Sequence, residues 1–432
     1  MRSTRSATTS RASSVASDAP ITTPIATPIA LGTPAYRRLT LAMLFAGFST
    51  FSLLYSVQPL LPLFAAQYGL TAEAASLAVS LATGPLAIGI LFAGFVSDRV
   101  GRRPLMIAAM FAAGALTLAA AIVPGWSGLL VLRFLTGIAL AGVPAVAMAY
   151  VAEEVDAGSV GAAMGLYIAG SAIGGMAGRL VASLVADLAD WRWALAAVGL
   201  AGLAMAEAFR RLAPPSRNFT ASVGRPGALL RSAAALFTDR AMPLLYLEAF
   251  LVMGVFVTIY NYAGFRLMGP PYGLSQAAVG AVFLLYVLGS VSSAKFGTLA
   301  GRLGRRKIFW IPVVLLIAGV ALTAMEPLAF VIAGIAVVTI GFFGAHSIAS
   351  AWVGRRAQGS RGQAAAFYLF FYYMGSSVLG SAGGIAWTHA GWPGVTAFCL
   401  LLGVAALVVG LILRIVPPLV VEPPAPQRMP DP

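Results

Sequence analysis

Three ionisable side chains stand inside long apolar runs, and their types can do chemistry: Glu248, His346 and Arg133. A charge in such surroundings costs several kcal/mol, so each is a functional candidate by default. A carboxylate and an imidazole exchange protons in the physiological range when desolvation and pairing shift their titration. Glu248 and His346 are therefore proton-coupling candidates. The plainer alternative is a structural hydrogen bond or, for Glu248, a place near an interface. At 1.5 Å per helical residue, Glu248 lies ~10 Å and His346 ~9 Å from the same end of their runs. Arg179 lies near the other end of its run, where snorkelling or pairing with Asp187 or Asp190 is expected. Lys295 and Glu207 are expected to snorkel as well.

A second set is polar and aromatic: Tyr55, Gln58, Tyr260, Asn261, Tyr262, Tyr368, Tyr372 and Tyr373. Tyrosine and amide side chains offer stacking faces and hydrogen bonds together, which suits hydroxylated or amphipathic ligands. Singly, each tyrosine also reads as an interface anchor or a packing residue. Other chemistries lack their residues. The chain has two histidines and one cysteine, Cys399, so no metal cluster or intramolecular disulfide is expected. Neither Lys295 nor Lys307 stands in a phosphate-cradling glycine loop, and no Ser-His-Asp arrangement suggests hydrolysis. An enzyme is not expected, nor a cofactor.

The elements that must position these side chains follow from composition. Of 432 residues, 59% are apolar and 10% charged, and mean hydropathy is +0.89. Soluble domains run nearer ~45–50% and ~25%. The solvent for this surface is lipid, where backbone groups must be satisfied within the segment, so the expected class is all-α and polytopic. Runs of the required ~20 residues number twelve. They fall at approximately 39–66, 74–96, 104–124, 127–150, 159–184 and 190–212, then 241–267, 275–299, 307–325, 327–352, 362–387 and 392–416. These are spans 1 to 12. The segment 213–240, with Pro214, Pro215 and Pro226, divides them six and six into halves 35–212 and 241–416. The tails 1–34 and 417–432 cannot build a core and are expected to be disordered. The first has no apolar core of a secretory signal. Its Arg- and Ser-rich, acid-poor make-up also fits a transit peptide, but the Ala-rich, Arg-over-Lys composition points to a bacterium.

The net charge of +14 is a topology signal rather than a nucleic-acid one. With the N-terminus inside, twenty-three Lys and Arg fall in cytoplasmic segments and two, Arg192 and Arg266, in external loops. That contrast predicts a multi-pass protein of the bacterial inner membrane with both termini cytoplasmic. Its expected partners are the lipid bilayer, a small-molecule substrate and protons. No nucleic acid is expected, and a monomer is.

The halves repeat each other. Gly94-Phe-Val-Ser-Asp98-Arg99-Val-Gly101-Arg102-Arg103 follows span 2, and Gly297-Thr-Leu-Ala-Gly301-Arg302-Leu-Gly304-Arg305-Arg306 follows span 8. Tyr55 and Tyr260 share that offset to within two residues. So do Tyr167-x-x-Gly170-Ser171 and Tyr372-x-x-Gly375-Ser376. Parallel six-helix repeats are a transporter architecture. Gly101 permits a tight turn with φ > 0. Asp98 can accept from a neighbouring helix N-terminus, and the arginines can pair with acids at that face. Gly301 stands where Asp98 does, so the two copies should act unequally. Loop 4–5 is acidic, with Glu153, Glu154 and Asp156, whereas its repeat mate is basic, with Arg355, Arg356 and Arg361. Salt bridges between them would make an inner gate; otherwise the acids serve the arginines at 99–103.

The run from Gly94 to Arg103 resembles motif A of the major facilitator superfamily, and Arg133-x-x-x-Gly137 is similar to its motif B. Met164 to Arg179 resembles bacterial permeases of the arabinose-efflux type. Gly161, Gly170, Gly174 and Gly178 follow the spacing of an antiporter motif, with Gly175 in place of a proline and Arg179 in place of its last glycine. This resemblance implies a gating role for Gly94, Asp98, Arg99, Gly101, Arg102 and Arg103. It also implies a central cavity lined by spans 1, 4, 7 and 10, with Glu248 and His346 facing it. Arg133 would modulate proton transfer or hold a substrate anion. The implied function is proton-coupled efflux of sugars or small amphipathic compounds by alternating access. The rivals are proton-coupled uptake and a non-transporting membrane sensor or enzyme.

Overall fold

The computed structural model describes residues 27–219, 226–357 and 360–417. Eleven continuous helical segments are long and apolar enough to cross a bilayer among the described residues. The last, Arg361–Ile415, has 55 residues. At 1.5 Å per residue it is more than twice the ~30 Å hydrocarbon thickness. It breaks at Ala390 and at Gly391, where φ is 58°, so it makes two passes. Twelve passes result, as hydropathy predicts. Motif A residues Gly101 and Gly304 close their turns with φ of 92° and 93°.

The repeat is visible in the packing. Gly170 of span 5 lies so close to span 1 that a Cβ would sit 2.1 Å from the Leu44 carbonyl oxygen. Its mate Gly375 of span 11 meets Phe250 of span 7 in the same way, at 2.2 Å. Small residues let helix backbones touch where lipid supplies no hydrophobic drive. Between the halves, span 5 meets span 8 at Ser183 and Gly280, and span 2 meets span 11 at Glu73 and Gly384.

Several spans are interrupted. Pro59 and Pro62 break span 1 into Pro34–Tyr55, a short 3₁₀ turn and Leu61–Tyr68. A proline lacks the N–H that would continue the ladder. Span 4 breaks between Leu140 and Pro144, and span 11 carries a π-turn over Gly375–Leu379. Such bulges recur at functional positions.

Of the first tail, residues 1–26 lie outside the described residues, and so do 418–432 of the last. Ile29 pairs with the acidic loop, its N–H donating to the Glu154 carbonyl at 2.8 Å, while the Asp156 N–H donates to Ile29 O at 3.1 Å. In the connection between halves, Pro226–Thr238 is a helix.

Candidate functional site

Hydrogen bonds between the halves gather toward the end opposite the Arg-rich loops. Gln58 Nε2 donates to Asn261 Oδ1 at 2.7 Å, joining span 1 to span 7 across near-equivalent repeat positions. Gln276 Nε2 donates to the Pro59 carbonyl at 2.7 Å. Ser80 and Ser381 hydroxyls lie 2.6 Å apart, and Ser377 donates to Ser80 O at 2.9 Å. Tyr55 Oη and Ser376 Oγ are 3.5 Å apart, nearer the middle. Among the described residues no side-chain hydrogen bond joins the halves at the Arg-rich end.

Below this seal is a small cavity walled by spans 7, 10 and 11, about 10 Å³, room for roughly one water. Glu248 and His346 both line it, with Tyr368, Tyr372 and Phe342. Glu248 is 1% exposed, and neither carboxylate oxygen has a hydrogen-bond partner among the described residues. An anion held this way is costly, and a proton or a ligand relieves the cost. The Tyr368 hydroxyl is 3.0 Å from His346 Nδ1, and the Tyr372 ring lies 4.9 Å from the imidazole. Phe342 stacks on His346 at 5.9 Å and on Phe256 at 3.8 Å.

The remaining aromatic candidates divide. Tyr260 lines a second, apolar cavity with Phe283 and bonds Thr339 at 2.8 Å. Tyr262 donates to the Gly380 carbonyl at 2.9 Å and packs on Trp387, so it ties span 7 to span 11. Tyr373 is buried edge-on against Tyr372 at 5.1 Å. Tyr55 and Gln58 contact a residue whose place the sequence misjudges, Arg179, and Asn261 bonds Gln58 behind it.

Arg179 neither snorkels nor meets Asp187 or Asp190. It is 3% exposed and makes no salt bridge among the described residues. Its Nε donates to Gln58 Oε1 at 2.7 Å and its Nη1 to the Gly175 carbonyl at 2.6 Å. The guanidinium lies over the rings of Tyr55, Phe283 and Tyr286 at 4.5, 5.1 and 5.0 Å. Counting residues to the helix end suggested a route to water. The rings of span 8 block it.

Arg133 bonds backbone carbonyls. It is buried and makes no salt bridge among the described residues. Nε donates to Ala78 O at 2.9 Å, Nη1 to Leu53 O at 3.0 Å, and Nη2 to Leu54 O. The break at Pro59 frees the last carbonyls of Pro34–Tyr55, and a cation there completes the helix end. Gly137, one turn on, lets span 4 approach span 2 so closely that a Cβ would lie 2.1 Å from Ala82 O. The Arg133-x-x-x-Gly137 spacing thus places the guanidinium against Ala78, one turn from Ala82 on span 2.

At the Arg-rich end, Arg102 pairs with Asp98 at 2.5 Å and with Glu153 at 2.9 Å. Asp98 therefore pairs with its own loop's arginine rather than capping a neighbouring helix. Arg103 donates to the carbonyls of Ala213 and Arg210 at 2.9 and 2.7 Å, closing the end of span 6. Gly94 and Arg99 lie at the exposed end of span 2. The proposed gate partners are apart. Glu154 Oε1 accepts from the N–H groups of Arg217 and Asn218 at 2.8 and 3.0 Å. Arg356 pairs with Asp239 at 2.6 Å, and Arg355 makes no salt bridge among the described residues. Burial alone would raise the Asp239 carboxyl, but Arg356 and the N–H groups of Ala241 and Met242 outweigh it and hold it below its ordinary value. No group of three or more potential metal ligands occurs among the described residues.

Residues 40–344 match the Major Facilitator Superfamily. The chain is 44% identical over 384 residues to the inner membrane transport protein YnfM of Escherichia coli (strain K12), covering 88% of this chain and 91% of that one. It is 43% identical over 376 residues to the uncharacterized MFS-type transporter YybF of Bacillus subtilis (strain 168), covering 87% and 93%. Among solved structures it superposes on a mutant of the nucleoside transporter NupG with a TM-score of 0.70 at 15% identity, covering 87% and 98%. A bacterial homolog of the human lysosomal transporter Spinster, in an inward-facing and occupied conformation, gives 0.67 at 14%, covering 88% and 96%.

Proposed function

We propose that this chain, which belongs to the Major Facilitator Superfamily and is a multi-pass secondary transporter, expels small amphipathic compounds from a bacterial cell in exchange for protons. The observation that carries the reading is Glu248, a buried carboxylate without a donor, facing His346 and an aromatic wall in one cavity. Such a carboxylate accepts a proton on one side of the membrane and surrenders it when substrate and water enter from the other. His346, steadied by Tyr368, is the second group that handles the proton. The lining favours amphipathic compounds over sugars. Val252, Ala249, Ala345, Ala349 and Phe342 offer no hydrogen bonds to a ring of hydroxyls.

The Lys/Arg distribution supports placing the Arg-rich end in the cytoplasm. The sealed end is then external, and this is the conformation that loads substrate from inside. Rocking of the halves would break the Gln58–Asn261 and Ser80–Ser381 contacts and close the Arg-rich end. That closure would exchange the present partners of Glu154 and Arg356 for the gate pair between loops 4–5 and 10–11.

The test is a pH dye inside proteoliposomes of the monomeric protein, with an imposed proton gradient. Amphipathic compounds and sugars are added to wild type and to Glu248→Gln. Protons moving against the substrate, and only in wild type, support the reading. Protons moving with the substrate make the protein an importer. Proton movement that persists in Glu248→Gln removes Glu248 as the carrier.

A further inference from the structure

We propose that Arg179 anchors an anionic head group, a carboxylate or a phosphate, on the transported molecule, whose body is aromatic or apolar. This names the substrate class of the transport reading above and rests on it. The argument begins with an imbalance. A buried guanidinium needs a counter-ion or a full set of acceptors. Arg133 obtains its set from three carbonyls on two helices. Arg179, in the same half, obtains two neutral acceptors and three ring faces, and its Nη2 makes no hydrogen bond among the described residues.

The surroundings are rich in donors. The Asn261 Nδ2 group and the Tyr286 hydroxyl are buried beside this cluster without hydrogen-bond partners among the described residues. No carboxylate bonds to any of them among the described residues. Unpaired donors beside a cation are the complement of an anion, and the planar fork of arginine suits a carboxylate or phosphate edge.

The position also matters. By the repeat offset, the mate of Arg179 is Gly384, which packs flush against Glu73 of span 2. The shared scaffold therefore needs no charge here. The partners of Arg179 belong to different halves. Gln58, Tyr55 and Gly175 travel with it, whereas Phe283 and Tyr286 belong to the other half, as does Asn261, the partner of Gln58. Parting of the halves strips the guanidinium of two ring faces, and Asn261 leaves Gln58. The substrate's head group supplies the missing counter-charge in that state. In the present state Phe283 also borders the second cavity with Tyr260, which has room for about one water, so the apolar body enters only when the halves part.

The experiment measures binding to the purified full-length protein with one ring system bearing four head groups. The probes are naphthalene-2-carboxylate, naphthyl phosphate, naphthalene-2-carboxamide and naphthylmethylammonium. Wild type is expected to bind an anion at least ten-fold more tightly than the amide or the ammonium. Carboxylate against phosphate identifies the head group. Arg179→Gln is expected to weaken the anion by roughly ten- to a hundred-fold and leave the amide unchanged, the loss of one or two charge-assisted hydrogen bonds. Arg179→Lys keeps part of the anion preference and serves as the test if the glutamine variant does not fold. Preference for the ammonium, no anion binding at millimolar concentration, or equal weakening of amide and anion by Arg179→Gln overturns the inference. The last result would make Arg179 a latch between halves. Glu248→Gln is expected to keep anion binding while losing proton movement. Failure of the anion preference with proton movement intact thus sinks this inference alone.

Discussion

A single methyl group at Gly174 should strain the helix pair that carries Arg179. A Cβ there would lie 2.2, 2.4 and 2.6 Å from the O, Cα and C atoms of Phe48 in span 1. All three are backbone, so no side chain can swing aside. Restoring ordinary contact means moving the helices apart by about 1 Å, and overpacking of this kind costs ~1–3 kcal/mol. Gly165 lies on the same helix with nothing within 4 Å of its would-be Cβ. Both substitutions to alanine gain the same helix propensity, ~1 kcal/mol, so the difference between the two variants isolates the strain. For a half of this size, each kcal/mol corresponds to roughly 2–4 °C. Gly174→Ala should therefore unfold about 2–12 °C below Gly165→Ala. Intrinsic fluorescence reads it, because Trp126 and Trp191 pack on Phe64 at 5.8 and 5.2 Å in the same half. The displacement also draws Arg179 off Gln58, so Gly174→Ala should lose transport where Gly165→Ala keeps it. Equal thermal midpoints for the two variants would refute the reasoning.

Further outcomes are expected. Arg133→Lys should destabilise the protein by about 2 kcal/mol or more and fail to rescue it, because an ammonium cannot serve carbonyls on two helices as the fork does; thermal unfolding checks this against Arg133→Met. Asp239 is held below its ordinary value, so its contribution is present above the unfolded pKa of ~3.9 and is lost as pH falls through the folded one. Asp239→Asn should thus lower stability at neutral pH and flatten the acid limb of the stability profile. Glu154→Arg should stall transport, and adding Arg356→Glu should restore it if the loops meet when the Arg-rich end closes; no rescue counts against the gate.

Much of the architecture is legible in the sequence because a bilayer imposes length and a translocation bias imposes charge. The twelve passes, the parallel repeat and the positive φ at Gly101 all follow from such local rules. Glu248 and His346 stand out by the same kind of rule, that an ionisable group in an apolar run is costly, and the structure places both in the wall of one cavity. The partners of Arg133 were hidden because they are carbonyls released by a proline break in another span. Arg179 was misplaced for a related reason. Its distance from the helix end suggested water, but Phe283 and Tyr286 close over it from the other half, and that contact exists only in three dimensions. The gate pairs could not be ordered either, since Glu153 had both Arg102 and loop 10–11 to choose from.

The measurement that bears most directly on the central claim separates binding from coupling in Glu248→Gln. Proteoliposomes are assayed for substrate exchange at equal concentrations on both sides, and for uphill substrate movement driven by a proton gradient. The account predicts that Glu248→Gln exchanges substrate at a rate close to wild type and drives none uphill. Uphill movement that survives the substitution would contradict it.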